Sequence, residues 1–243
     1  MEGQSPVAVI ICCAGASSRM GGIKKEYYKP ENSPESPTVL GLAVSAFCAV
    51  PSVEIIVIAV PQNGETAARS ALAGEYLENV KPKIIFVQGG KTRQASVYNA
   101  LCRLMECQGR DTSYVLIHDG ARPWVSPQLI ENIIKEVKTK GAVIPLLALT
   151  ETPKECNAPA AANQDDVSSL VFISRHLKRA NTGIAQTPQA FKFPEIYYAH
   201  KKAAGIKSEV FTDDAEIWGR FCGKVAVIPG EPGNRKITYK EDL

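Results

Sequence analysis

The chain has 243 residues, 45% hydrophobic and 22% charged, with a net charge of +3. These values are ordinary for one soluble α/β domain, and the small charge argues against nucleic acid as a partner. The seven cysteines lack metal-type spacing, no apolar run is long enough for a membrane span, and the N-terminus lacks a signal-peptide pattern, so a cytoplasmic location is expected.

Along the chain, Val7 to Cys13 is continuously apolar, as in a strand buried on both faces. Thr38 is placed to cap a helix whose buried face is Val39, Leu40, Ala43, Val44 and Phe47. A second strand is expected over Val53 to Val60, a polar helix over Glu65 to Tyr76, and a third strand over Lys83 to Val87. Val97, Leu101, Leu104 and Met105 form the next helical stripe, and Tyr114 to Ile117 a fourth strand. Ser126-Pro127 reads as a helix start, with Leu129, Ile130, Ile133, Ile134 and Val137 on its apolar face. A further strand is expected from Ala142 to Leu149. This alternation predicts a mostly parallel sheet with right-handed crossovers.

The pattern breaks after Thr150. The segment from Thr150 to Ala185 has no core period and reads as an excursion, a hairpin arm with a short strand over Val171 to Ile173. Helices near Pro194 to Ala204 and Asp213 to Phe221 follow, then a strand over Lys224 to Ile228. The sequence stops at Glu241-Asp242-Leu243, where a further helix is expected to begin.

Several polar or glycine-bearing loops adjoin these strands. After the first strand, Ala14-Gly15-Ala16 turns the chain, and Arg19, Lys24 and Lys25 supply positive charge suited to phosphate. Neither a dinucleotide fingerprint nor a Walker loop is present, which disfavours an NAD-linked oxidoreductase. Gly89-Gly90 ends the third strand, with Thr92 and Ser96 in the first turn of the next helix. Asp119 closes the fourth strand and is a candidate Mg²⁺ ligand, while Arg122 can grip a phosphate or pair with Asp119. His118 reads as structural. Thr152-Pro-Lys154, Arg179 and Gln186-Thr187-Pro-Gln189 bracket the arm, and Lys236 lies in a strand-like run near the end.

His-Asp-Gly-Ala-Arg-Pro at 118–123, Gln-Thr-Pro-Gln-Ala-Phe at 186–191, Thr212-Asp213, Gly89-Gly90-x-x-Arg93-x-x-Ser96 and Asn234-x-Lys236-Ile237-Thr238 occur in one order. Together they resemble the 2-C-methyl-D-erythritol 4-phosphate cytidylyltransferases. The resemblance implies a Rossmann-like nucleotidyltransferase fold, a mostly parallel sheet with helices on both faces and a protruding β-arm. It implies one domain over residues 1–243, with 148–185 a dimerisation arm exchanged in a homodimer. It also implies CMP transfer from CTP to a sugar-alcohol phosphate with Mg²⁺, and neither a nucleic-acid nor a membrane partner.

By the same resemblance Arg19, Lys25 and Lys236 are catalytic, with Lys24 the alternative to Lys25. Ala14, Gly15, Ala16, Gly90, Ser96, Asp119 and Gly120 line the CTP site, with Asp119 on the metal. Arg122, Thr152, Arg179 and Thr187 hold the sugar phosphate, Thr152 and Arg179 acting across the dimer. The sequence departs from the family at Ser17, where a second glycine is common, and at Lys91, where some members are acidic. It also departs in a long segment between Leu146 and Arg179 and in the absence of the family's C-terminal helix. Ribitol 5-phosphate cytidylyltransferase and a non-catalytic nucleotide-binding subunit are the alternative readings.

Overall fold

The apolar run after Pro6 forms β1 (Val7–Cys12), and its side chains alternate between two cores. Val7, Val9 and Ile11 face one, and Ala8 and Ile10 the other, as a strand sandwiched between helical layers requires. The computed structural model describes residues 6–15, 17, 20–21, 24–31, 33, 35–72, 82–108, 112–157, 171–206 and 208–242.

The elements that follow are α1 (Val39–Cys48), β2 (Val53–Val60), α2 (Glu65–Leu72), β3 (Lys83–Gln88), α3 (Arg93–Gln108), β4 (Tyr114–Asp119), α4 (Pro127–Lys140) and β5 (Ala142–Ala148). Then come β6 (Lys154–Cys156), β7 (Ile173–His176), β8 (Gly183–Ala185), β9 (Gln189–Lys192), α5 (Glu195–Ala204), α6 (Asp214–Phe221) and β10 (Ala226–Pro229). Among the described residues the main sheet runs in the order β10-β5-β9-β4-β1-β2-β3, with β8 added to β5. β1 pairs in parallel with β2 and β4, β2 with β3, and β5 with β10. β9 runs antiparallel between β4 and β5.

Helices cover both faces. Leu40, Val44 and Phe47 of α1, Ala68 and Leu72 of α2, and the Leu129, Ile130, Ile133, Ile134 and Val137 stripe of α4 pack in the first core. Val97, Leu101 and Leu104 of α3, Ile196 and Ala199 of α5, and Ile217 and Trp218 of α6 pack in the second. Each large side chain fully buried this way stabilises the fold by about 1.5–3 kcal/mol. The expected caps form: Thr38 Oγ1 accepts from the Gly41 N–H at 3.0 Å and Ser126 Oγ from the Leu129 N–H at 3.0 Å. Gly141 ends α4 with φ +81°, the left-handed region open to glycine.

Several expectations shift, among them the last strand, expected over Lys224 to Ile228 and found over Ala226–Pro229. The arm is present as a two-stranded antiparallel ribbon of β6 and β7, but its second strand starts at Ile173 rather than Val171. β7 is exposed throughout, so no burial pattern marks its limits. The expected helix from Glu65 is described to Leu72, and residues 73–76 lie outside the described residues. The central antiparallel β9 was not expected, because four residues are too few to show a period. It has a consequence for the site: Gln189 pairs with Ile117, so the segment just before β9 lies at the C-terminal end of β4.

Candidate active site

β1, β2, β3 and β4 run in parallel, so their C-terminal ends share one edge of the sheet. The chain order reverses between β1 and β4, the switch point where open α/β sheets bind ligands. A cleft of about 500 Å³ opens there. Ala14, Gly15 and Lys25 border it from the first loop, Gly90 from the loop after β3, Ser96 from the first turn of α3, and Asp119 and Lys236 from the far side.

Close backbone approaches hold these loops together. A Cβ on Gly89 would lie 2.3 Å from Ala14 Cβ, and one on Gly120 2.3 Å from Cys13 Sγ. Gly120→Ala must therefore push the β4 loop off the β1 loop. The expected loss of stability is about 1–3 kcal/mol, the scale of overpacking, read from the denaturant midpoint. A midpoint equal to that of the wild type would contradict the packing. The Gly90 N–H donates to Ser96 Oγ at 3.0 Å, and the Ser96 hydroxyl donates to Thr92 O at 2.9 Å. Gly15 has an ordinary φ and open space around its Cβ position, so room for a ligand, rather than a strained turn, distinguishes it. Among the described residues of this loop, Ser17, at φ 49°, and Gly21, at φ 65°, are left-handed.

Asp119 sits at the floor of the cleft. Its Oδ1 accepts from Arg93 Nε at 3.1 Å, its Oδ2 is 2.8 Å from Lys236 Nζ, and Arg122 Nε is 3.8 Å away. Burial alone would raise its pKa; Arg93 first, then Lys236 and Arg122, override this and hold the carboxyl well below the usual range. Asp119 is therefore an anion at any working pH.

The backbone around Asp119 is fixed by a buried network. The Asp119 N–H donates to Thr187 Oγ1 at 3.1 Å, and Thr187 Oγ1 lies 3.0 Å from His118 Nδ1. His118 Nε2 faces the Arg122 carbonyl at 3.0 Å, an acceptor, so Nε2 must carry the proton and Nδ1 must accept from Thr187. Burial pushes the His118 pKa down to about 4. The sign follows from linkage: an unfolded histidine protonates near pH ~6.5 while this one stays neutral, so its contribution is intact above that pH. Stability is lost as pH falls from there towards about 4. A His118 titration by NMR should show a neutral ring with Nε2–H at pH 5, and an imidazolium at that pH would contradict the network.

The Asn234 turn closes the far side. Gln186 Nε2 donates to Glu231 O at 2.8 Å and to Asn234 O at 3.1 Å, and Asn234 Nδ2 donates to Thr187 O at 2.8 Å. Arg122 Nη1 donates to Asn234 O at 2.7 Å, and Arg122 is buried. The two adjacent lysines diverge. Lys24 Nζ donates to the carbonyls of Cys13 and Gly15 and pairs with Glu26 at 2.9 Å. Lys25 borders the cleft, with Nζ 2.7 Å from Ile237 O.

Of the residues singled out in the sequence, Ala14, Gly15, Lys25, Gly90, Ser96, Asp119 and Lys236 come together on the cleft. Gly120, Arg122 and Thr187 pack directly behind Asp119. Thr152 and Arg179 are exposed on the arm, where Arg179 Nη1 donates to Thr150 O at 2.8 Å, and neither borders this cleft. Ala16 and Arg19 lie outside the described residues. Sequence reasoning gave no role to Arg93, which joins Asp119 to Asp214. Its place in the Gly-Gly-x-x-Arg spacing was the available signal. The Cys12 thiol borders the cleft, but burial pushes its pKa up to about 12, so it is no nucleophile at neutral pH.

Residues 7–243 match the family model for 2-C-methyl-D-erythritol 4-phosphate cytidylyltransferase. The chain belongs to that family. It is 33% identical over 237 residues to a bifunctional enzyme IspD/IspF of Bartonella henselae, covering 98% of this chain and 55% of that protein. It is 35% identical over 238 residues to one of Nitrobacter hamburgensis, covering 97% and 53%. The chain thus spans about half the length of these relatives. Among solved structures, a 4-diphosphocytidyl-2C-methyl-D-erythritol synthase of Anaerococcus prevotii matches with TM-score 0.76 and 26% identity, covering 98% of this chain and 93% of that one. A Francisella tularensis 2-C-methyl-D-erythritol 4-phosphate cytidylyltransferase matches with TM-score 0.73 and 29% identity, covering 98% and 96%. The mixed, mostly parallel sheet of this cytidylyltransferase-family chain is the architecture that such matches share.

Proposed function

We propose that this chain transfers CMP from CTP to 2-C-methyl-D-erythritol 4-phosphate, giving CDP-methylerythritol and pyrophosphate. The observation that carries this reading is the cleft of a cytidylyltransferase-family chain that Lys25, Lys91, Arg93 and Lys236 line together with Glu26 and Asp119, the last paired with Arg93 and Lys236. Such a cationic rim suits a triphosphate meeting a phosphate monoester.

The nucleophile is a phosphate oxygen of the sugar phosphate. With a second pKa near ~6 it is already ionised at neutral pH, so no general base is required. That agrees with a buried, neutral His118 and a neutral Cys12. The barrier is the approach of one anion to the α-phosphate of another, so catalysis rests on in-line placement and charge neutralisation. Lys25 and Lys236, with Arg19 by resemblance, stabilise charge growing on the α-phosphate and the leaving pyrophosphate. Ala14, Gly15, Gly90, Ser96 and Gly120 line the CTP side. Arg122 and Thr187 belong to the sugar-phosphate side, behind Asp119.

Asp119 fits Mg²⁺ as a hard oxygen donor bordering the cleft, its pKa held low by the Arg93 and Lys236 charges that pair with its oxygens, and this ion needs only one or two carboxylates beside phosphate and water. Among the described residues no cluster of three or more His, Cys, Asp or Glu would cage a metal without substrate. Bound by Asp119 and phosphate oxygens, the ion would add charge neutralisation.

The arm supports a homodimer over residues 148–185 of a single domain. Phe172, Ile173 and Ile184 are 63%, 51% and 51% exposed, apolar area that a second copy would cover. Thr152 and Arg179 then act in the neighbour's cleft. Arg179→Ala should raise KM for the sugar phosphate at least ~10-fold with little change in kcat, since that contact is made in ground and transition states alike. An unchanged KM would remove Arg179 from the site. The seven free cysteines support a reducing, cytoplasmic setting, and no helix among the described residues is long and apolar enough to cross a membrane. ³¹P NMR of CTP and methylerythritol phosphate with enzyme and Mg²⁺ tests the reaction. Two coupled diphosphate signals of the product are expected, and unchanged reactant spectra would refute it.

A further inference from the structure

From the floor of the cleft a chain of ion pairs, Lys236–Asp119–Arg93–Asp214, runs into the second core, where His200 backs its last carboxylate. Lys236 Nζ is 2.8 Å from Asp119 Oδ2, and Arg93 Nε is 3.1 Å from Asp119 Oδ1. Arg93 Nη1 is 2.8 Å from Asp214 Oδ2, and His200 Nε2 is 3.1 Å from Asp214 Oδ1. Asp214 and His200 are both fully buried and neither borders the cleft.

Stability alone is a poor account of this chain. A buried ion pair recovers little beyond its desolvation cost, and apolar residues of similar volume often do as well. Yet the first turn of α6 is fastened on several sides, with Asp214 as its first residue. Asp213 Oδ1 caps the helix through the Glu216 N–H at 2.8 Å, and Glu216 Oε2 accepts from the Thr212 N–H at 2.8 Å. Gln189 of β9 donates to Asp213 Oδ2 at 2.9 Å and accepts from the Ala215 N–H at 3.0 Å. The helix N-terminus also favours a carboxylate there. The unexpected strand β9 thus helps to aim Asp214 at Arg93.

Arg93 is the first residue of α3 and borders the cleft. A guanidinium is planar, so the Nε–H bond to Asp119 and the 2.8 Å ion pair of Nη1 with Asp214 constrain its orientation from two sides. We propose that Asp214, backed by His200, is a positioning residue: it fixes Arg93, which holds Asp119 Oδ1 and leaves Oδ2 to Lys236. The inference rests on the cleft being the site of nucleotidyl transfer.

A double-mutant cycle in kcat separates positioning from general support of the fold. Asp214→Asn should lower kcat about 10-fold or more, with KM for the sugar phosphate within about twofold of wild type. Arg93→Gln should lower kcat further, and the double variant should be no slower than Arg93→Gln alone. Wild-type kcat in a folded Asp214→Asn protein, or multiplicative losses in the double variant, would overturn the inference. If Asp214→Asn loses its cooperative thermal melt, His200→Gln takes its place in the cycle with the same two outcomes.

A readout without turnover distinguishes this from failure of the proposed reaction. The Arg93 Nε–H resonance, identified by its loss in Arg93→Gln, should be sharp and slowly exchanging in the wild type and broad in Asp214→Asn or His200→Gln. An unchanged resonance would overturn the inference. An inactive wild type with the expected resonances would overturn the reaction and leave the positioning standing.

Discussion

Lys25→Ala should lower kcat by more than ~10²-fold, the scale for removing a group that, on the proposed reaction, stabilises charge only in the transition state. Lys25 reaches the cleft from the loop after β1, and its Nζ lies 2.7 Å from Ile237 O, in the same segment that carries Lys236. Both lysines line the same cleft, where the proposed reaction develops negative charge. Lys24→Ala gives a different result, because Lys24 Nζ ties together the Cys13 and Gly15 carbonyls and Glu26. Its loss should loosen the first loop and lower the melting temperature, with a smaller fall in kcat. Steady-state kinetics and melts of both variants decide the matter. Near wild-type turnover in Lys25→Ala would remove Lys25 from the reaction.

Asp119→Asn has the largest combined effect. The substitution leaves Arg93, Arg122 and Lys236 facing an uncharged amide. Breaking one side of a buried charge cluster costs about 3 kcal/mol or more, and the cations then repel one another. Turnover should also fall about 10²-fold, the scale of a lost key electrostatic group, because Lys236 and Arg93 lose the anion that orients them. The pH dependence follows from the same pairs. The folded-state pKa is depressed, so the stabilisation is complete above the unfolded value near ~3.9 and is lost as pH falls below it. Chemical denaturation near neutral pH reads the stability loss, and a variant as stable and as active as wild type would contradict the assignment of Asp119 to the core of the site.

Much of the fold was legible because parallel strands buried on both faces leave continuous apolar runs. β2 matches its expected limits, and Thr38 and Ser126 mark helix starts by the side-chain caps expected of them. β8 and β9 were not legible: they are short, and β9 is flanked by polar residues that serve the site rather than a core. The arm's exposed β7 carries no alternation, since none of the described residues buries either of its faces.

The site divides the same way. Asp119 stood out because a carboxylate closing an apolar strand needs a partner, and its loop adjoins glycine-bearing turns. Arg93 and Asp214 did not stand out, because their pairing joins α3 to α6 across long sequence separation and no local pattern encodes it. Arg122 was legible as a phosphate-gripping cation or an Asp119 partner. Its burial against Asn234 O was not, because the Gln186–Asn234–Thr187 network that closes over it exists only after folding.

Pyrophosphate release by the purified protein with Mg²⁺, CTP and 2-C-methyl-D-erythritol 4-phosphate tests the central claim most directly, with UTP and ribitol 5-phosphate run in parallel. Release is expected with CTP and methylerythritol phosphate, and not when either is replaced. Release with ribitol 5-phosphate instead would contradict the substrate assignment, and CTP binding without release from any pair would contradict catalysis.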